Sequence, residues 1–331
     1  MFKKHKKLKI SVTIFLILVL VLSSAAYFII NGRLSKLNYK TIDKSAKAIG
    51  IDEKTYTKDS ELDKNFINIL LLGVDTRDES KEKGRSDSNI ILTIDKKHKK
   101  IKMTSILRDT IMTMTGHGTM EGLNQDRMGH AYAYGGAPLA IKTVNENFNL
   151  NIKNYVKVDF FGLIKIIDYM GGVDLKISDA EIKVANGYVK EMSSLLKVKP
   201  DYFTKSGTQH LNGIQAVAYS RIRYVGNGDY GRTDRQREVL NLLFKKVSRK
   251  SLLELPSIGD NILPNIETSL SKNEIMDIAV YVLKNGIRST SQLRLPTAQK
   301  SIYVNNTYFV AIDKTSDTEK LHDFIFEGED K

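Results

Sequence analysis

The 331-residue chain contains no cysteine and no tryptophan. Without cysteine there are no disulfides and no thiolate zinc sites, though this leaves the compartment open. Its six histidines (His5, His98, His117, His130, His210 and His322) are scattered and form no HExxH pair, so each reads as a surface or structural residue. There is no GxSxG nucleophile elbow and no Walker-type GxxxxGK loop, which removes two common catalytic frameworks. No internal repeat and no low-complexity segment occurs. The chain does carry an excess of positive charge, a formal +13, which suits an anionic partner such as lipid phosphate, a phosphate-rich polymer or nucleic acid.

Part of that charge is an address. Lys3, Lys4, Lys6, Lys7 and Lys9 precede Ile10–Ile30, a run with no charge, proline or glycine. That run is long enough to cross a hydrocarbon core as a helix. With the lysines before it and only Arg33 and Lys36 soon after, the positive-inside rule puts the N-terminus in the cytoplasm and the bulk outside, a single-pass type II arrangement. A signal peptide cleaved near Ser23–Ala26 is the alternative; Tyr27–Ile30 continues the apolar run past that point and favours an uncleaved anchor. The expected organisation is a basic tail over 1–9, a transmembrane helix over 10–30, a polar stalk or loose first helix over 31–63, and one extracellular domain over 64–331.

Within that domain the apolar runs Ile67–Val74, Asn89–Ile94 and Ile101–Ile106 read as strands. Charges border each run: Asp75 ends the first, Arg85 and Asp87 precede the second, and Arg108 and Asp109 end the third. Strands packed side by side would gather these groups, and carboxylates with guanidiniums suit a metal ion and a phosphate. Charges that merely punctuate strand ends are the plainer reading. Thr113–Gly129 reads as a long loop, Ala137–Phe148 and Phe160–Met170 as helices, and Asp95–Lys100 as a hairpin turn. Strands and helices alternate, so the fold expected is α/β, layered around a mixed sheet.

A second charged centre, Ser220–Arg237 (SRIRYVGNGDYGRTDRQR), holds Arg221, Arg223, Arg232, Arg235 and Arg237 with Gln236, Asp229 and Asp234, and no lysine. Selective use of the fork-shaped cation, with Gly226, Gly228 and Gly231 and a helix whose start Thr233 can cap, suggests a phosphate or pyrophosphate site. Surface ion pairs are the alternative. A two-residue spacing places Arg221 and Arg223 on one side of an extended segment and Ile222 on the other, in the core. A nucleic-acid partner is not expected: no DNA-binding module is recognisable, and the topology places the segment outside the cell. Tyr132 and Tyr134 read as core or pocket lining.

The segments LLLGVDTR, GRSDSNIILTI, SILRDT, HAYAYGG, FFGLIKIIDYMGGVDL, LNGIQAVAYSRIRY and GDYGRTDRQREVL, in this order across 66–243, resemble the LytR–CpsA–Psr family. The resemblance implies a three-layer domain and a phosphotransferase of Gram-positive walls. Such enzymes move a glycopolymer, wall teichoic acid or capsule, from an undecaprenyl-pyrophosphate carrier onto the C6 hydroxyl of N-acetylmuramic acid in peptidoglycan. By resemblance Asp75 and Asp87 hold Mg²⁺, and Arg85, Arg108, Arg221, Arg223, Arg232 and Gln236 bind the pyrophosphate. Arg235 falls in the same motif and is counted with them. Asp75, Arg85 and Arg108 form the catalytic set, and Asp75 is also a candidate base for the acceptor hydroxyl. The prenyl tail needs an apolar tunnel, expected from Ala137–Phe148 and Phe160–Met170. The chain departs from the family pattern at Leu107, where proline is usual, and near Gly129, where asparagine is frequent. A polyprenyl-phosphate-binding regulator and a pyrophosphatase are the other readings of the same site.

Overall fold

The short apolar runs form the strands at the centre of the molecule, seen in a computed structural model that describes residues 37–53, 64–75, 84–118, 124–250, 254–287 and 290–327. The expected span Ile10–Ile30 lies outside the described residues. Among those described, no helix is long and apolar enough to cross a membrane.

The main sheet has seven strands. In chain order they are β1 (Asn38–Tyr39), β2 (Phe66–Asp75), β3 (Arg85–Asp95), β4 (Lys100–Ile106), β7 (Asn154–Asp159), β10 (Glu267–Thr268) and β11 (Thr290–Leu295), and their spatial order is β1-β10-β7-β2-β3-β4-β11. β2 pairs antiparallel with β3 and parallel with β7, so the sheet is mixed, as the alternation of elements predicts. Small two-stranded ribbons join β5 (Ile111–Thr113) to β6 (Gln125–Arg127), β8 (Val173–Ile177) to β9 (Gly207–Leu211), and β12 (Ser301–Val304) to β13 (Thr307–Val310).

Each face of the sheet is covered by helices, giving three layers. Leu70, Leu72, Val74 and Ile91 point to one face, where they pack with α1 (Ala46–Ile49), α2 (Met128–Phe148) and, late in the chain, Leu321 and Ile325. Ile67, Leu92 and Ile94 point to the other. That second layer is built from α3 (Phe160–Tyr169), α4 (Asp179–Leu196), α5 (Gly213–Ser220), α6 (Asp229–Val247), α7 (Leu255–Ile262) and α8 (Lys272–Lys284). The last helix, α9 (Lys314–Phe326), ends on Lys102. The buried Lys102 ammonium donates to the Ile325 and Glu327 carbonyls and lies 2.6 Å from Asp95.

Several expectations change. The expected stalk belongs in part to the domain: β1 pairs with β10, and Ile49 is fully buried in the core. Thr113–Gly129 is not all loop, because β6 returns along β5 and α2 begins at Met128. Gly136, with φ +67°, breaks α2 into two parts; the left-handed region is open to glycine at little cost. α6 begins four residues before Thr233, so the Thr233 hydroxyl caps nothing and instead donates to the Asp229 and Tyr230 carbonyls. Leu107, where proline was the pattern, uses the N–H that proline lacks: it donates to the Leu295 carbonyl at 3.0 Å.

Candidate functional site

The C-terminal end of β2 and the start of β3 carry the first half of the site. Asp75 pairs with Arg85 in register, but between Gly73 and Val74 the ladder slips. Ser88 faces Gly73 and Ser86 faces Val74, which leaves Asp87 as the extra residue of a β-bulge. A bulge re-aims a side chain without ending the strand. Gly73 is required here, since a Cβ would lie 2.9 Å from that of Ser88.

Re-aimed in this way, Asp87 joins a closed ring of alternating charge. Arg108 Nη1 donates to Asp87 Oδ1 at 2.6 Å. Asp87 Oδ2 lies 3.9 Å from Arg232 Nη1, and Arg232 Nη2 lies 3.0 Å from Asp229. Asp229 accepts from Arg223 at 2.8 Å, Arg223 also reaches Asp109 at 3.2 Å, and Asp109 lies 3.5 Å from Arg108 Nε. Around this ring stand Arg127, 3.7 Å from Asp109, and Arg221, 3.9 Å from Asp75. Arg221 is held between the Phe160 and Tyr188 rings, each centroid 4.7 Å from its guanidinium carbon, a cation–π clasp on both faces. With Arg85, six arginines meet four aspartates.

The ring does not satisfy all of its own donors and acceptors. Arg108 Nε, Arg232 Nε and Nη2, and Gln236 Oε1 are buried without a hydrogen-bond partner, and so are Asp109 Oδ1 and Asp229 Oδ1. Close approach without hydrogen-bond geometry leaves these groups ready to exchange partners, since a buried unpaired polar atom is costly. Burial pushes the Asp109 carboxyl above its ordinary value, opposed by Arg108 and reinforced by Asp229. Burial acts in the same sense on Asp229, but Arg232 and Arg223 outweigh it and hold that carboxyl low. Burial also pulls the Arg232 guanidinium down, with Asp229 and Asp87 offsetting part of the effect.

Gln236, one turn after Arg232, donates to the Asp87 carbonyl at 3.5 Å and also lines a cavity of about 160 Å³. Leu71, Val156, Val158, Leu163, Val239 and Leu240 make the cavity apolar. It lies between the sheet and the layer of α3 and α6. Of the two helices expected to form a tunnel, Phe160–Met170 contributes; Ala137–Phe148 packs on the opposite face of the sheet, and α6 takes its place.

The arrangement brings Asp75, Asp87, Arg108, Arg221, Arg223, Arg232 and Gln236 together, with Arg85 opposite Asp75. It does not bring Arg235. That guanidinium binds Glu181 and the Ile222 and Val225 carbonyls, so it fixes the loop rather than facing the ring. Arg237 is likewise committed elsewhere, to Asp234, Gln292 and the Leu293 carbonyl. Arg221 and Arg223 reach the site from a turn rather than an extended strand: α5 ends at Ser220 and Arg221 is near-helical, φ −93° and ψ −8°. Ile222 is fully buried between them, as the spacing predicts. Arg127 was invisible to sequence reasoning, and no local signal marks it.

Asp75 and Asp87 suit Mg²⁺ in donor chemistry. Both are hard oxygen ligands at adjacent strand ends, and among the described residues no three His, Cys, Asp or Glu side chains form a cage. Mg²⁺ is usually held by one or two carboxylates with the rest of its shell from phosphate and water.

Comparison with known proteins matches residues 34–323 to the LytR_cpsA_psr family. The chain belongs to this family. The chain is 32% identical over 306 residues to the polyisoprenyl-teichoic acid–peptidoglycan teichoic acid transferase TagV of Bacillus subtilis (strain 168), covering 89% of this chain and 74% of that protein. It is 33% identical to the TagU transferase of Enterococcus faecalis (strain ATCC 700802 / V583), covering 78% and 76%. The crystal structure of B. subtilis TagV superposes with a TM-score of 0.62 at 29% identity, over 79% of this chain and 98% of that one. TagT bound to LI-WTA shares the LytR_cpsA_psr fold, with a TM-score of 0.66 at 24% identity, over 87% and 99%.

Proposed function

We propose that this LytR_cpsA_psr protein transfers a glycopolymer from a polyprenyl-pyrophosphate carrier to peptidoglycan, held at the outer face of the membrane by Ile10–Ile30. One observation carries the reading: an apolar cavity reaches Gln236, which donates to the Asp87 carbonyl at the ring, and there Arg108 Nε and Arg232 Nε and Nη2 are buried without acceptors. A pyrophosphate with a prenyl tail has that same polarity, charged at one end and apolar at the other. The similarity to TagV and TagU, named polyisoprenyl-teichoic acid–peptidoglycan teichoic acid transferases, supports it.

In this reading an acceptor hydroxyl attacks the phosphorus that bears the polymer. A new phosphorus–oxygen bond forms as the bridging bond to polyprenyl phosphate breaks, and the hydroxyl proton passes to a base. Phosphoryl transfer asks the protein mainly for positioning and charge neutralisation. Arg108, Arg223 and Arg232 would bind the two phosphates, and Arg221, clasped by Phe160 and Tyr188, would steady the end nearest Asp75. Asp75 and Asp87 would hold Mg²⁺, which when bound neutralises phosphate oxygens. Asp75 also stands at the rim, where it would take the hydroxyl proton.

The test incubates the purified outer domain with a synthetic lipid-pyrophosphate sugar and peptidoglycan oligomers. Glycan joined to peptidoglycan, with release of polyprenyl phosphate, is expected. Release with water as the sole acceptor makes the protein a pyrophosphatase; tight lipid binding with no turnover makes it a binding regulator.

A further inference from the structure

The family motif HAYAYGG begins against the charged ring, and the role of its side chains is not explained by phosphate binding. Gly129 backs the Arg108 stem so closely that a Cβ there would lie 2.7 Å from Arg108 Cγ. One residue on, the first turns of α2 carry His130 and Tyr134, four apart and on one helical face. Both are anchored to a single buried oxygen. Tyr134 Oη donates to Asp126 Oδ2 at 2.6 Å, and His130 Nδ1 lies 2.9 Å from the same atom. Asp126 is buried and stays charged: burial opposes ionisation, but the His130 and Tyr134 bonds prevail. The Tyr134 ring is therefore fixed in orientation although 38% of the residue is exposed.

His117, from the loop after β5, lies flat on this fixed ring. The two centroids are 5.8 Å apart with planes 9° from parallel. Residues 115–118 are all exposed, His117 among them. Arg127, next to Asp126, lies 3.7 Å from Asp109 of the ring, and Gly129, next to His130, backs Arg108, so the stack stands on the segment that borders the charged ring. An exposed histidine ring stacked on an anchored tyrosine, on the segment that borders the charged ring, presents aromatic surface to solvent. Aromatic faces carry negative potential and large apolar area; the C–H-lined face of a pyranose ring carries the complementary character.

We propose that the His117–Tyr134 stack is a saccharide subsite for the sugar ring next to the reacting phosphate, with Asp126 and His130 as its positioning residues. The ring comes either from the donor glycopolymer or from the acceptor glycan, and both present the same pyranose chemistry. The inference rests on the transferase reading for its substrates but not for its test, because saccharide binding is measured directly.

Three probes separate the outcomes: polyprenyl pyrophosphate without sugar, the same lipid bearing an N-acetylhexosamine, and a peptidoglycan oligomer. The protein is the outer domain, as wild type, His117→Ala and His117→Phe. A stacked ring accounts for about two- to tenfold in affinity. If the donor supplies the sugar, His117→Ala narrows by that factor the preference for sugar-bearing over sugar-free lipid. If the acceptor supplies it, His117→Ala raises the dissociation constant for the oligomer by the same factor at unchanged affinity for the lipid. In both cases His117→Phe restores the wild-type value, which a merely structural histidine would not predict. The proposal is overturned if His117→Ala leaves both saccharide parameters unchanged, or if it weakens sugar-free and sugar-bearing lipid equally. Failure of the transferase reading shows separately, as a wild-type protein that binds oligosaccharide but no polyprenyl pyrophosphate.

Discussion

Arg108 and Asp87 lie 2.6 Å apart, the shortest link in the charged ring, and they are the arginine expected to bind phosphate and the carboxylate expected to bind metal. Each is the other's partner until a ligand offers a better one. A cation at Asp87 would free Arg108 for an anion, and an anion at Arg108 would free Asp87 for a cation. Metal and pyrophosphate binding should therefore be coupled. Titration calorimetry of polyprenyl pyrophosphate with and without Mg²⁺ should show tighter binding with the metal, by about 5–150-fold for a typical coupling of this kind. Asp87→Ala should remain folded and lose that difference. Equal affinities with and without Mg²⁺ in the wild type would make the pair structural.

Arg221 and Arg223 differ from Ile222 in what they support. Arg221→Lys and Arg223→Lys keep the charge but lose the planar fork, so each should weaken turnover by about 1.5–3 kcal/mol with little change in melting temperature. Ile222→Ala, at a fully buried position, should cost about 2–5 kcal/mol of stability. Early-melting lysine variants with normal turnover would move the site elsewhere.

Arg235 should behave like Ile222 rather than like Arg223. It ties Glu181 to the carbonyls of Ile222 and Val225, so Arg235→Leu should lower the melting temperature. Polyprenyl-pyrophosphate affinity measured well below the transition should fall less than it does in Arg223→Leu. A larger loss of affinity for Arg235→Leu would return this residue to the phosphate site.

The raised carboxyl of Asp109 has a pH signature. Because its folded pKa lies above the ordinary 3.8, its favourable contribution is complete below that value and is lost as pH rises through the folded pKa. Asparagine has no proton to lose. The melting temperature of Asp109→Asn relative to wild type should therefore climb as pH increases from about 4 towards neutrality. A difference independent of pH would show that Asp109 ionises as freely folded as unfolded.

Filling the apolar cavity should separate tail from headgroup. Val158→Phe places a ring among Leu71, Leu163 and Val239, and overpacking costs about 1–3 kcal/mol of stability. The variant should lose affinity for a long prenyl pyrophosphate while binding inorganic pyrophosphate as before. Equal loss for both ligands would mean that the substitution deforms the arginine ring.

Local chemistry determined much of this molecule. Short apolar runs gave β2, β3 and β4, as strands covered by helices on both faces require. Selective use of arginine over lysine singled out Ser220–Arg237, which brings Arg221, Arg223 and Arg232 to the charged ring. The resemblance carried by the motifs supplied the family. Tertiary structure decided how these pieces meet. Whether Asp87 points into the site depends on one slipped pair in the β2–β3 ladder, which no residue preference encodes. Arg232 and Arg235 sit in the same helix, three residues apart, and the positions of Glu181, far away in α4, and of the Ile222 and Val225 carbonyls draw one of them from the ring. An amphipathic pattern tells that a helix has an apolar side but not which face of the sheet it covers, so the wall of the apolar cavity fell to α6 and not to Ala137–Phe148. Charges and apolar stripes are properties of a segment; their partners are properties of the fold, fixed by contacts between residues that the chain itself keeps far apart.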